Sequence, residues 1–127
     1  MSIKSFYVGA LLAFTACASS GAPAAGPRRD PNVITHEEFV ASNEGNAFDA
    51  IARLRPLFLK SRGRTTINAD ANDFPIVFVD GQRYGDLNSL RNLVAAQILE
   101  ARHLGATDAV GKYGMQYGGG VIEITTR

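Results

Sequence analysis

The side chains that most often do chemistry are few in this sequence, and their spacing argues against catalysis. His36 and His103 are the only imidazoles, and neither belongs to a His-Glu-x-x-His arrangement or to a short metal-ligand spacing. No serine or cysteine has a nucleophile elbow or a base at a recognisable spacing. We therefore predict that the chain is not an enzyme and that it holds no metal and no cofactor.

Two further patterns suggest a ligand site at first sight. Gly105–Tyr113 has the glycines and the lysine of a phosphate-binding loop, but one residue too many separates the glycines, and Tyr113 replaces the metal-binding Ser or Thr. Asp70, Asp73 and Asp80 flank a predicted strand, but they lack the alternate ligands and the bidentate Glu of a calcium loop. These acids are predicted to form turns and to be solvated, with Asp80 in a hairpin turn.

The residues best suited to binding a small ligand lie in two predicted loops, 80–86 and 113–119. Tyrosines in these loops would offer stacking faces to a ligand, and a turn would place polar groups beside them. The candidate binding residues are Asp80, Gly81, Tyr84, Tyr113 and Tyr117.

Cys17 is the one cysteine of the chain, and its position predicts a modification. A short basic start with Lys4 is followed by an apolar run over residues 6–16, which is the pattern of an export signal and too short to span a bilayer. Cys17 lies directly at the end of that run, before Ala-Ser-Ser. This arrangement resembles a bacterial lipobox, in which diacylglycerol alkylates the thiol and the cysteine becomes the mature N-terminus.

The sequence divides into three predicted parts: a signal peptide over residues 1–16, a lipidated tether over 17–32 and a folded domain over 33–127. The tether consists of small residues and prolines that cannot form a core. An alternative is a standard signal peptide that is cut near Ala22-Pro-Ala24 and releases a soluble periplasmic protein.

Composition favours one small globular domain. The chain has 127 residues, of which 46% are hydrophobic and 20% are charged, and its formal net charge is +1. Such a balance gives no global attraction to nucleic acid or to an anionic membrane. One local exception is the basic cluster Arg53–Arg64, which is either a patch for lipid phosphates or an acidic partner, or a solvated loop balanced by nearby acids.

Local signals predict a small mixed β-sheet with short helices, an α+β fold. Thr35-His-Glu-Glu38 is a capping box that begins a helix reaching about Ser42, and Asn46 caps a second helix that Pro56 ends. A third short helix is predicted over 87–93, and one or two helical turns over 106–112. Strands are predicted over 65–68, 74–79, 82–84, 98–104 and 121–126. The glycines at 118–120 are predicted to form a flexible entry to the last strand, where a side chain would clash or φ must be positive.

Four blocks of the second half resemble the plug domain of TonB-dependent outer-membrane receptors. They are Val79-Asp-Gly81, Ile98-Leu-Glu-Ala-Arg-His-Leu-Gly105, Tyr113-Gly114 and Gly119-Gly-Val-Ile-Glu-Ile-Thr-Thr-Arg127, in the order and at the spacing of that family. The resemblance implies a plug-like domain. Because a transmembrane barrel needs at least eight strands of about 10 residues, we expect no transport by this chain alone.

The sequence therefore predicts a non-catalytic outer-membrane lipoprotein that faces the periplasm and acts by protein contact, as an accessory to transport or assembly. Its expected partners are the membrane, through the lipid, and an outer-membrane or periplasmic protein, but no nucleic acid. An apolar sheet edge, or the strand Val121–Thr126, is expected to pair with a strand of that protein. A periplasmic module that binds a small ligand is the alternative, and an enzyme is the least favoured class.

Overall fold

A computed structural model describes residues 29–61 and 72–127. In this part of the chain, five strands form one sheet, and α-helices pack on both of its faces. The predicted α+β class is confirmed. The strands are β1 (Val33–Thr35), β2 (Ile76–Val79), β3 (Gln82–Gly85), β4 (Ile98–Leu104) and β5 (Val121–Thr126); the helices are α1 (His36–Ser42), α2 (Ala47–Leu54) and α3 (Ala106–Tyr113); and 3₁₀ helices cover Pro56–Leu59, Leu87–Asn92, Ala95–Gln97 and Met115–Tyr117.

The sheet has the strand order β1-β4-β5-β2-β3. Strand β5 lies parallel to β2 and antiparallel to β4, and the other neighbouring pairs are antiparallel. The last strand is therefore central, and the expectation that Val121–Thr126 is free to pair with a partner strand is wrong. Its two hydrogen-bonding edges are already occupied, and among the described strands β1 and β3 form the edges of the sheet.

Helices α1 and α2 begin where their predicted caps lie. The Glu38 carboxylate accepts a hydrogen bond from the Thr35 N–H at 3.1 Å, as the returning half of a capping box does. The Asn46 side chain accepts from the Asp49 N–H at 2.9 Å. Both helices lie over the same face of the sheet, and we call this the covered face. Its buried core joins Phe39, Ile51, Leu90, Ile98, Ile122 and their neighbours.

In the described part of the chain, the opposite face is covered only in part, by α3 and the 3₁₀ turn Met115–Tyr117, and we call it the half-covered face. Its buried cluster consists of Ile76, Phe78, Ala109 and Val121. On the neighbouring strand β4, half-buried Glu100 and exposed Arg102 form an ion pair at 3.2 Å. This face therefore changes from apolar to polar along the sheet.

The glycines that precede β5 permit a close approach of two backbone segments. A Cβ atom on Gly119 would lie 2.7 Å from the Phe74 carbonyl oxygen, and Gly120 has a φ of +95°. These positions admit only glycine without strain, as the sequence predicts. Glycine thereby lets β5 enter the middle of the sheet.

Several expectations need adjustment. The segment predicted as a helix over 87–93 is the 3₁₀ helix Leu87–Asn92, and β2 begins at Ile76, because Phe74 is exposed. Strand β1 was not predicted. The strand predicted over 65–68 and the segment before residue 29 lie outside the described residues. Within the described ranges, no helix is long and apolar enough to cross a membrane.

Candidate functional site

The β2–β3 hairpin places the first predicted loop at one end of the sheet. Asp80 and Gly81 have φ values of 49° and 83°, and positive φ at both positions is characteristic of a tight type I′ turn. The Asp80 carboxylate accepts hydrogen bonds from the Thr126 hydroxyl at 2.6 Å and from the Thr126 N–H at 2.9 Å. These bonds, the hydroxyl first, lower the pKa of Asp80. Asp80 therefore forms the predicted turn and ties it to the end of β5.

Strand β3 presents an open edge that carries a bulge. Phe78 pairs with Arg83, whereas Val77 pairs with Gly85, so Tyr84 is the extra residue between them. In a two-residue hairpin the pair next to the turn exchanges hydrogen bonds, and the following pair does not. The N–H and the C=O of Arg83 therefore point away from β2, toward the open edge.

Two of the predicted tyrosines pack together on the half-covered face. The ring of Tyr113 stacks on Phe78 with 4.1 Å between centroids, and Tyr117 contacts Phe78 edge-on at 5.4 Å. Tyr113 and Tyr117 are 5.9 Å apart. Their rings stabilise α3 and the following turn against the sheet. Tyr84 lies on the edge strand, with 45% of its surface exposed.

Beside these rings, Glu123 of β5 accepts hydrogen bonds from Lys112 and from the Tyr113 hydroxyl. Burial alone would raise the pKa of Glu123, but the two hydrogen bonds and the charges of Lys112 and Arg102 outweigh it and leave that pKa lowered. The bond to Glu123 raises the pKa of Lys112, and burial followed by the same bond raises that of Tyr113. Glu123 is thus an ionised carboxylate held by donors, an arrangement that fixes α3 to β5.

The two predicted loops meet at a cavity of about 270 Å³. Arg83 comes from β3, Gln116 and Tyr117 come from the 3₁₀ turn, and Asn72 comes from the chain just before β2. Of these four, sequence reasoning named only Tyr117. Arg83 and Gln116 lie inside the loops that were singled out, but Asn72 reaches the cavity only through packing, and no local pattern marks it.

The two described arginines of the basic cluster are paired with acids, whereas exposed Lys60 has no ion pair within residues 29–61 and 72–127. Arg53 lies 3.1 Å from Glu44, and Arg55 lies 3.2 Å from Glu38. Arg62 and Arg64 lie outside the described residues. For the first two arginines, the structure favours the balanced alternative over a free cationic patch.

Both histidines have local structural partners. His36 donates from Nδ1 to the Ile98 carbonyl oxygen at 2.7 Å and accepts at Nε2 from the Arg127 guanidinium at 2.9 Å. His103 is buried and stacks on Phe58, with 5.0 Å between ring centroids. Across residues 29–61 and 72–127, no three His, Cys, Asp or Glu side chains are grouped so that they could hold a metal ion.

No protein-family model matches this chain, and no curated protein matches it significantly. The resemblance to plug domains therefore remains a prediction from the sequence motifs.

Proposed function

We propose that this chain is a lipid-anchored protein of the bacterial envelope whose plug-like domain binds a protein partner, as an accessory to outer-membrane transport or assembly. It works by contact and not by catalysis. The observation that carries the proposal is the spatial arrangement of the four blocks that resemble plug domains.

These blocks are separate in the sequence but adjacent in the sheet. Val79-Asp-Gly81 ends β2 and forms the hairpin turn, while Ile98–Gly105 supplies β4 and the residue that caps α3. Tyr113-Gly114 ends α3, and Gly119–Arg127 supplies β5. The blocks thus supply β4, β5, the end of β2 with its turn, and both ends of α3. Motifs that each specify little would not be expected to converge on one structural unit by chance, and this supports a plug-like domain.

The anchor is the thiol of Cys17. Each buried methylene of an acyl chain contributes about 0.8 kcal/mol to membrane binding, so several acyl chains hold the protein at a leaflet without a spanning helix. The proline-containing tether over 17–32 then separates the domain from the lipid surface. The domain faces the periplasm from the outer membrane.

The contact surface is the open edge of β3. Strand β5 has neighbours on both sides, and the other edge strand, β1, has only three residues before α1 begins. Gln82, Arg83 and Tyr84 are exposed, and the outward N–H and C=O of Arg83 offer main-chain hydrogen bonds to an added strand. The bulge at Tyr84 limits how far such a strand can extend, so the contact is short.

The anchor is tested by mass spectrometry of the mature N-terminus together with membrane fractionation. The expected result is a diacylglycerol-modified residue 17 and a protein found in the outer-membrane fraction. The Cys17→Ser variant is expected to lose the membrane association. An unmodified thiol at residue 17 in the mature protein would contradict the proposed anchor.

The contact is tested by co-purification from solubilised envelopes with two variants of one residue. Arg83→Pro removes the outward N–H at a position where an edge strand tolerates proline, whereas Arg83→Gln keeps that N–H. We expect an outer-membrane protein to co-purify with the original chain and with Arg83→Gln, and to be lost with Arg83→Pro. Equal recovery with all three chains, or no such protein with the original chain, would rule out the β3 edge.

A further inference from the structure

We infer that the cavity between β3 and the 3₁₀ turn Met115–Tyr117 binds the carboxylate group of a small ligand, with Arg83 as its cation. This site is additional to the contact proposed above and does not depend on it. The sequence also suggests a small-ligand binding module, and this cavity is where its two predicted binding loops, 80–86 and 113–119, meet. Its lining residues are Asn72, Arg83, Gln116 and Tyr117.

Arg83 differs from the other arginines in the described part of the chain. Each of the others has a carboxylate, a histidine nitrogen or an aromatic ring as a partner, whereas the guanidinium of Arg83 has no ion pair, hydrogen bond or ring contact there. The partnered arginines are Arg29, Arg53, Arg55, Arg91, Arg102 and Arg127. An unpaired guanidinium on the wall of a cavity keeps its donors available for a ligand.

The acids nearest to Arg83 in the sequence are engaged elsewhere. Asp80 accepts two hydrogen bonds from Thr126, and Asp86 accepts from the Ser89 N–H at 3.2 Å as the cap of a 3₁₀ helix. Neither carboxylate forms an ion pair with Arg83. The positive charge at the cavity is therefore not neutralised by the residues that flank it in the hairpin.

The other lining groups suit the same ligand chemistry. The Asn72 and Gln116 amides and the Tyr117 hydroxyl are hydrogen-bond donors, and a guanidinium binds a carboxylate through two parallel N–H···O bonds. Arg83 is the cross-strand neighbour of Phe78, so both side chains leave the sheet on the half-covered face. Tyr117 packs edge-on against Phe78, so the ring of this lining residue is fixed on the same face of the sheet as the Arg83 side chain.

The charge of the cavity selects a carboxylate over a phosphate. A carboxylate carries one negative charge in a planar fork, which matches a single guanidinium. A phosphate carries more charge and more acceptor oxygens, and among the described residues that line the cavity Arg83 is the one cation. The carboxylate can belong to a free small acid or to the C-terminus of a peptide, and the two sources are separable by experiment.

The test is a titration of the full-length protein in which backbone amide NMR signals are monitored at each addition of the probe. The probes are benzoate, inorganic phosphate and a short neutral peptide with either a free or an amidated C-terminus. Benzoate is expected to shift the amides of Arg83, Gln116 and Tyr117 in a saturable manner, and phosphate is expected to bind more weakly. If peptide C-termini are the source, the free-acid peptide will bind more tightly than benzoate and the amidated peptide will not bind.

Arg83→Gln is expected to weaken benzoate binding at least about tenfold, because it removes a charge-assisted hydrogen-bond pair. The variant should fold normally, since the Arg83 side chain has no partner to lose among the described residues. Arg102→Gln is the matched control, because Arg102 is also exposed on the half-covered face but is paired with Glu100, and it should leave binding unchanged.

The proposal is overturned if no probe produces saturable shifts at these three amides, if Arg83→Gln binds benzoate as the original chain does, or if phosphate binds more tightly than benzoate. These outcomes are separate from a failure of the proposed partner contact. That contact is tested by co-purification with Arg83→Pro, whereas Arg83→Gln is expected to keep it.

Discussion

The two faces of the sheet bury very different numbers of side chains. Among the described residues, the covered face has thirteen buried residues in one continuous cluster, with α1 and α2 over it. The half-covered face has four, together with partly buried tyrosines and the Glu123 cluster. Because hydrophobic stabilisation scales with apolar area removed from water, most of the stability comes from the covered face.

This difference separates folding from binding. The side chains of the covered face are occupied by one another, so few remain to contact another molecule. On the half-covered face and along the adjacent β3 edge, Arg83, Tyr84 and Gln116 are exposed. The functional groups are therefore expected where coverage is lowest, and the comparison can be tested by substitutions matched between the two faces.

The largest effect is expected from truncating an aromatic ring on each face. Phe39 on the covered face is 1% exposed, and Phe39→Ala should reduce the free energy of unfolding by about 3–5 kcal/mol. Phe78→Ala should cost less, because its surroundings can relax toward solvent. Urea denaturation followed by circular dichroism measures both. A larger loss for Phe78→Ala would reverse the proposed ranking of the two faces.

A second pair compares two glycines. Gly119→Ala introduces a Cβ against the backbone that precedes β2, and we expect it to destabilise the protein by about 3 kcal/mol. Gly111→Ala lies inside α3 with open space around it, and should stabilise by about 0.5–1 kcal/mol. Thermal unfolding of both variants checks the opposite signs. If Gly119→Ala were neutral, the close approach at the start of β5 would not constrain the fold.

A third pair compares helix caps. Asn46→Ala removes the side-chain cap of α2 on the covered face, at an expected cost of about 1 kcal/mol. Helix α3 begins at Gly105 without a side-chain cap, so Gly105→Ser should stabilise the protein by about 0.3 kcal/mol. Denaturation midpoints measured in parallel distinguish the two. Loss of stability in Gly105→Ser would indicate that glycine is required at that cap.

The smallest effect concerns pH. The pKa of Glu123 is lowered in the folded protein, so its ionised form contributes stability at pH values above its unfolded pKa. That contribution is lost as the pH falls from about 5 through the lowered folded value. Glu123→Gln should reduce the acid-induced loss in the free energy of unfolding by less than about 1 kcal/mol. The loss that comes from Asp80, whose pKa is also lowered, should remain. If the pH profile of Glu123→Gln matched that of the original chain, Glu123 would not contribute to the loss of stability in acid.

Local signals in the sequence predicted the local structure well. The caps at Thr35 and Asn46, and the Asp80-Gly81 turn, depend on hydrogen bonds or φ values within a few residues, and all three are confirmed. The leucines of the segment 87–93 recur every third residue, which fits the three residues per turn of a 3₁₀ helix better than the 3.6 of an α-helix.

Strand order could not be predicted in the same way, because it depends on contacts between distant segments. Strand β1 has three residues and pairs with β4, more than sixty residues later, so no local pattern reveals it. A signal for the central place of β5 was present: Val121, Ile122 and Ile124 make both faces of the strand apolar, as in a buried strand. Of the candidate site, the loops were predicted and the convergence of Asn72, Arg83 and Gln116 was not.

The central claim is that an envelope-anchored domain binds its partner through the β3 edge. The most direct test is photo-crosslinking in intact cells, with a photoreactive residue at Gln82 on that edge or at exposed Ala52 on α2. We predict an adduct with one outer-membrane protein from position 82 and no such adduct from position 52. Identical adducts from both positions, or none from position 82, would contradict the account.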